Sequence, residues 1–310
     1  MEYFMEKNWM VLDIPSMQSI QCETVEHFLA RFIPSKKMQY FLLSNGWLRM
    51  DGEAVKRGQK LQGKKLSVLL YPYEKGYKGK RGELPEVVYE DEILLVVCKP
   101  HGLNVHDVGN GAWTLQDQVE AYFAQKGMDC LCQPVHRLDK ETKGLVVFCK
   151  SEVFQPLLDR MVFEKQIGRR YLALVKGECK AGTRFDCTEP IGKDCQDSGR
   201  RVVCRNGQKA VTHVESLGTN KKYSVLKCAL ETGRTHQIRV HLSCHHFPVV
   251  NDPLYGKMDP VIWDMGLVGY EISFVHPLSG KNIILHTEPE EDFQKAVVEI
   301  HGPGVYMDIL

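Results

Sequence analysis

Apolar residues set the rhythm of this chain before any motif does. From Thr24, a plausible N-cap, Val25, Phe28, Leu29 and Phe32 recur at helical spacing, and Pro34 ends the run. A second helix is predicted from Ser35, with Met38, Phe41 and Leu42 on one face and Asn45-Gly46 as its stop. Short strand-like pieces divided by Asp51-Gly52, Gly58 and Gly63 follow, to about Tyr71. Farther on, "VVYEDEILLVVCKP" reads as a strand ending at Lys99-Pro100. "TLQDQVEAYFAQKG" reads as a helix with Thr114 and Asp117 in a capping box and Gly127 as its stop. Leu145 to Cys149 is a buried strand. A helix capped by Ser151 then lines up Val153, Phe154, Leu157, Leu158, Met161 and Val162, with Pro156 close enough to its start to be tolerated. "RRYLALVKG" predicts another strand, and "KAVTHVESL" and "YSVLKCALETG" alternate as antiparallel strands around the turn "GTNKK". A helix is predicted from about Thr235, with Ile238 and Leu242 on one face and His236, Arg239 and Ser243 on the other. The pattern is α+β, with meandering strands and without regular βαβ alternation.

Composition changes this picture little, except in where the charge lies. The 310 residues carry a net charge of +1. Yet Cys22 to Gly82 holds thirteen Lys/Arg against five Asp/Glu, a local +8 set against −7 elsewhere. The early module is therefore a candidate for gripping phosphates. No apolar run is long enough to span a bilayer and the start lacks a signal-peptide pattern, so a cytoplasmic protein without membrane association is expected. The 11 cysteines include no C-x-x-C pair. Cys130, Cys132 and His136, or Cys244, His245 and His246, lack the spacing of a metal site; reduced thiols and no metal are expected. No glycine-rich phosphate loop is present, so no cofactor is expected.

Two charged constellations remain. In "QPVHRLDKETKG" an extended backbone sets Arg137 and Asp139 on one side, so that a guanidinium faces a carboxylate. In "TGRTHQIRVHLSCHH" the helical period turns Arg239 toward a cleft. Taken alone, the first is an ordinary surface ion pair and the histidines of the second are packing residues.

Read together, "YEDEILLVVCKPHGLNVH", "HRLDKETKGLVV", "RRYLALVKG", "TGRTHQIRVH", "NDPLYG" and "HPLSG" stand in an order that resembles the RluA family of RNA pseudouridine synthases, from about Val87 to Glu291. The early module resembles an S4-like RNA-binding domain. The resemblance implies an S4-like domain at 1–74, a basic glycine-rich linker at 75–85 and, at 86–310, a catalytic domain with a mixed, mainly antiparallel sheet, flanking helices and a central cleft. It implies an isomerase that converts specific uridines of structured RNA (rRNA or tRNA) to pseudouridine, without cofactor or obligatory protein partner. Asp139 corresponds to the catalytic aspartate, Tyr171 to the tyrosine that stacks on the target base and Arg239 to the arginine paired with the acid. Arg137, His136, Arg234 and His236 are expected to bind substrate. The chemistry suits these residue types: breaking a glycosidic bond develops positive charge on the sugar, which a carboxylate stabilises or attacks. Lys143 departs from the small residue usual before the glycine. It is the one support for an alternative reading, a noncatalytic RNA-binding or ribosome-assembly factor of the same fold. A hydrolase would want a second acid, which the motifs lack.

Overall fold

A computed structural model describes residues 2–17, 21–71, 82–128, 132–197 and 199–301. The N-terminal module runs β1 (Tyr3–Glu6), β2 (Trp9–Asp13), α1 (Ile14–Met17), α2 (Val25–Phe32), α3 (Lys36–Ser44), β3 (Leu48–Met50), β4 (Glu53–Ala54) and β5 (Lys65–Leu69). Its strands form one antiparallel sheet in the order β1-β2-β5-β3-β4. The helices start where the side chains dictate. The Thr24 hydroxyl accepts the His27 N–H at 3.1 Å and the Ser35 hydroxyl accepts that of Met38 at 3.3 Å, which satisfies donors that no helical carbonyl reaches. The buried stripe of α3 is Gln39 and Leu42, flanked by Met38, while Phe41 is partly exposed; the apolar face expected there is rotated by one position. The basic linker expected at 75–85 falls mostly outside the described residues.

The larger part contains β6 (Glu86–Glu90), β7 (Leu94–Lys99), α4 (Leu115–Gln125), β8 (Gln133–Pro134), β9 (Lys143–Cys149), α5 (Gln155–Phe163), β10 (Ile167–Lys176), β11 (Arg184–Cys187), β12 (Ile191–Lys193) and β13 (Arg201–Val203). It continues with β14 (Thr212–Thr219), β15 (Tyr223–Leu230), α6 (Gln237–Cys244), β16 (Leu267–Val275), β17 (Asn282–His286) and α7 (Glu291–His301). One mixed sheet follows the order β11-β14-β15-β10-β16-β9-β7-β6, with β17 added to β16 and β8 to β9. Among its described pairings only β9 with β16 is parallel. The segment expected as one strand up to Lys99 is a hairpin, β6 and β7, because Asp91 turns the chain by accepting the N–H groups of Ile93 and Leu94.

Strand alternation divides the core between the two faces of the sheet. Leu94, Val96 and Cys98 of β7 and Leu145, Val147 and Cys149 of β9 pack on α5 and on the N-terminal module. Leu95, Val97, Val146 and Phe148 pack instead on α4 and α6, together with Tyr171 of β10. The first cluster runs without a break from Met10 of β2 to Phe274 of β16, so the module and the larger domain share one apolar core. Hydrogen bonds reinforce that junction: the Ser151 hydroxyl donates to the Leu70 carbonyl at 2.9 Å, and the Tyr71 hydroxyl to that of Glu92 at 3.0 Å. The same hydroxyl accepts the Val153 N–H at 3.3 Å, so Ser151 closes the turn that leads into the helix rather than capping its first residue. Helix α5 begins four residues later, with Pro156 in its first turn, where no donor is missed. Helix α4 carries the expected capping box, in which Thr114 and Asp117 satisfy each other's backbone.

Candidate active site

The site forms where loops leave the central strands on the α4 and α6 face. Asp139 precedes β9 in a turn closed by the Thr142 N–H donating to the Asp139 carbonyl at 3.1 Å. That turn is held from below by Lys99, whose buried ammonium donates to the carbonyls of Pro100, Leu103 and Lys140 at 2.8–2.9 Å. Burial pushes this lysine down to about 7. Three carbonyl partners nevertheless require three N–H donors, which only the charged form supplies. Two glycines let the neighbouring backbones close up. A Cβ on Gly144, whose φ is +141°, would lie within 2.7 Å of the backbone N, Cα and O of Gly269 on β16. On β16, Gly269 and Tyr270 together oppose the single residue Tyr171, a bulge that turns the tyrosine ring onto Gly269 and Leu138.

Arg239 on α6 joins the pieces. Its Nη1 donates to Asp139 Oδ2 at 3.0 Å, while Nε and Nη2 grip both carboxylate oxygens of Asp252 at 2.7 and 2.8 Å. Asp252 is fully buried and also accepts the N–H groups of Leu254 and Tyr255, so it cannot swing away. Burial opposes the charge of Arg239, but the two carboxylates outweigh it and leave the guanidinium firmly cationic. The guanidinium also sits over the Tyr255 ring, 5.3 Å from its centroid. The Asp139 side chain keeps 23% of its surface exposed, against 3% for Arg239, so the acid is the member of this trio that solvent still reaches.

Of the sequence-predicted residues, Asp139, Arg239 and Tyr171 come together. Tyr171 is buried, and burial first, then the negative charge of Asp139, hold its phenol above its ordinary range. Arg137 does not face Asp139 as expected. It is exposed, and the guanidinium at the acid belongs to Arg239, one hundred residues downstream. His136 lies beneath the loop rather than at its surface: burial pushes its imidazole down to about 3, and the neutral Nε2 accepts the Val147 N–H at 3.2 Å. Arg234 is exposed and donates to the Lys209 carbonyl at 3.0 Å. Thr235 lies outside the helix expected to start there. His236 precedes α6 in the left-handed conformation, φ 56°, with Nδ1 3.0 Å from the Tyr255 hydroxyl. Lys143 is paired with Glu290 at 2.5 Å, which answers the charge that stood out in the sequence. Asp252 and Tyr255 were missed, although both sit in the "NDPLYG" block; no local spacing tells which distant arginine they serve.

The description "RNA pseudouridylate synthase" fits a family model that matches residues 93–244. The uncharacterized RNA pseudouridine synthase YlyB of Bacillus subtilis (strain 168) is 31% identical over 94% of this chain and 99% of its own length. This chain belongs to the RNA pseudouridine synthases. Such a synthase is an isomerase, and the similar proteins place it with the RluA family; the ribosomal large subunit pseudouridine synthase D of Nitrosomonas europaea is 36% identical over 69% of this chain and 64% of its own. The catalytic fold is likewise that of a solved synthase, human RNA pseudouridylate synthase domain containing 1. It superposes with a TM-score of 0.56 over 68% of this chain and 86% of the human one, at 24% identity. Among the described residues of this pseudouridine synthase, no helix is long and apolar enough to cross a membrane.

Proposed function

We propose that this synthase isomerises uridines of large-subunit ribosomal RNA in the cytoplasm, with Asp139 as its catalytic carboxylate. The observation that carries the assignment is the hydrogen bond from Arg239 to an acid that is itself still open to a ligand. Arg239 is fixed by Asp252, so Asp139 is aimed without being consumed as the only counter-ion of a buried charge. In the reaction the bond from ribose C1′ to N1 breaks, the uracil turns, C5 bonds to C1′, and the proton lost from C5 is balanced by one gained at N1. Asp139 stabilises or attacks the electron-poor C1′ while the base is free. Tyr171, raised by burial, stays protonated near neutrality and offers the everted base a flat partner that offsets part of the cost of unstacking. The N-terminal module, S4-like in pattern, holds the RNA. Lys36, Lys56 and Arg57 line a cavity of about 770 Å³ there, beside the exposed ring of Tyr40.

The test is to delete the gene, map pseudouridines across cellular RNA, and complement with the parent or with Asp139→Asn. Sites should vanish on deletion, return with the parent and stay absent with the variant; purified parent should restore them in RNA from the deletion strain. If Asp139→Asn restores them, the assignment of the acid is wrong. If no site vanishes and the purified protein modifies no such RNA, the isomerase reading falls in favour of a binding factor.

A further inference from the structure

One cation near this site holds a sealed nitrogen that finds no acceptor among the described residues. Arg169 stands two residues before Tyr171 on β10, so both side chains leave the same face of the strand, the face that packs toward α6. Its Nε is sealed from solvent and has no hydrogen-bond partner among the described residues. Its charge is felt at both Tyr171 and His136, which places the guanidinium beside the tyrosine ring and the acid's loop. The neighbouring arginines differ. Arg170, on the opposite face, grips Glu271 through two bonds of 2.7 and 2.9 Å, and Arg239 is engaged by Asp252 and Asp139. A sealed guanidinium nitrogen is normally satisfied, so an idle Nε on this half-buried side chain beside the candidate site points to an acceptor that arrives with the substrate.

Gly233 bears on the same point from the other side of the cleft. A Cβ there would lie 2.9 Å from Nη1 of Arg169 and within 3.7 Å of Nη2 and Cζ. The backbone of Gly233 needs no left-handed freedom; what the glycine supplies is room for the guanidinium against the loop before α6.

We propose that Arg169 is a phosphate-binding residue, whose guanidinium takes the backbone phosphate next to the everted uridine. Two residues along a strand is about 7 Å, comparable to the span from a base to its own phosphate, so a base stacked on Tyr171 brings a phosphate to Arg169. An anion suits the position better than a uracil carbonyl, because the guanidinium brings a whole charge and the nearest imidazole, His136, is neutral. The inference rests on the isomerase reading and adds a contact to it.

The experiment uses the full chain and, as probe, an in vitro transcript of the RNA in which the deletion strain loses pseudouridine. Parent, Arg169→Gln, Arg169→Lys and Gly233→Ala are compared in binding across salt concentrations and in single-turnover modification. Arg169→Gln is expected to raise the dissociation constant about tenfold to hundredfold. The slope of log affinity against log salt should flatten by about 0.7 to 0.9, as for one lost phosphate contact. The saturated single-turnover rate should stay within about threefold of the parent, the signature of a contact made equally in ground and transition states. Arg169→Lys should keep the parent slope. Gly233→Ala, which displaces only the tip of a flexible side chain and spares the fold, should shift affinity in the same direction as Arg169→Gln. An unchanged salt slope in Arg169→Gln, parent affinity in Gly233→Ala, or a loss confined to the saturated rate overturns the proposal. A parent protein that leaves the transcript unmodified overturns instead the reading on which it stands.

Discussion

Replacing Asp252 by asparagine separates what holds the site from what acts in it. The carboxylate accepts four hydrogen bonds, from Arg239 Nε and Nη2 at 2.7 and 2.8 Å and from two backbone N–H groups at 2.9 and 3.0 Å. Its oxygen Oδ1 serves three of these donors, so the asparagine oxygen must stay there and its NH2 is forced against Arg239 Nε, donor to donor. Breaking a buried ion pair costs roughly 3–5 kcal/mol when the surviving charge is left alone. Here Asp139 still answers Arg239, which brings the expected loss to the lower end, about 3 kcal/mol. With a urea m-value of about 3 kcal/mol/M for a domain of this size, the denaturation midpoint should fall by about 1 M. Asp139→Asn should behave in the opposite way. Its side chain is partly exposed and Arg239 keeps Asp252, so the stability cost should stay at about 1 kcal/mol or less while pseudouridine formation is lost. The assays are urea unfolding followed by fluorescence, and product formation on substrate RNA, for both variants. An Asp252→Asn protein as stable as the parent, or less sensitive to the change than Asp139→Asn, would refute the division of labour between the two acids.

Two further outcomes follow from other parts of the site. His136 is held near 3 by burial, against about 6.5 in an unfolded chain, so below pH 6.5 the unfolded state alone takes up its proton. Its contribution is full above that pH and falls by about 1.4 kcal/mol per pH unit toward pH 3; His136→Gln should flatten the stability profile between pH 6 and 4 by that amount, and an unaltered slope would show that the histidine is not neutral inside. Gly144→Ala puts a methyl group into the backbone of Gly269, which has no flexible end to yield, on a residue at positive φ. The variant should lose more than about 3 kcal/mol or fail to fold, and a parent-like thermal midpoint would mean that β9 and β16 can separate at little cost.

Much of this architecture was legible where a side chain speaks to its own backbone. Thr24, Ser35 and the Thr114–Asp117 pair announce their helices because caps act over three residues. The alternation of β14 is visible because one of its faces is buried and the other half-covered. What escaped depends on distant partners. Ser151 accepts the Val153 N–H as a cap would, but its hydroxyl also donates to Leu70, eighty-one residues away, and α5 starts late. The hairpin of β1 and β2 gave no signal, since "WMVLD" buries Met10, Val11 and Leu12 in succession and shows no alternation. The motif residues Asp139, Tyr171 and Arg239 come together in the fold, whereas Arg137, set against Asp139 on adjacency alone, is exposed and the guanidinium at that acid is Arg239's. Asp252 shows its part only once α6 and the following turn are folded against each other.

The unbroken apolar cluster beneath β7 and α5 gives the enzyme the character of a ruler. A module bolted to the sheet cannot swing independently, so on the proposed reading the interval between its phosphate contacts and the reacting sugar is a constant of the molecule. An RNA qualifies by its own three-dimensional shape, when a uridine happens to fall at that interval, and cutting the platform away would test folding before it tested recognition. Reversing charges on its surface, at Lys36, Lys56 and Arg57, leaves the foundation intact and asks the question cleanly.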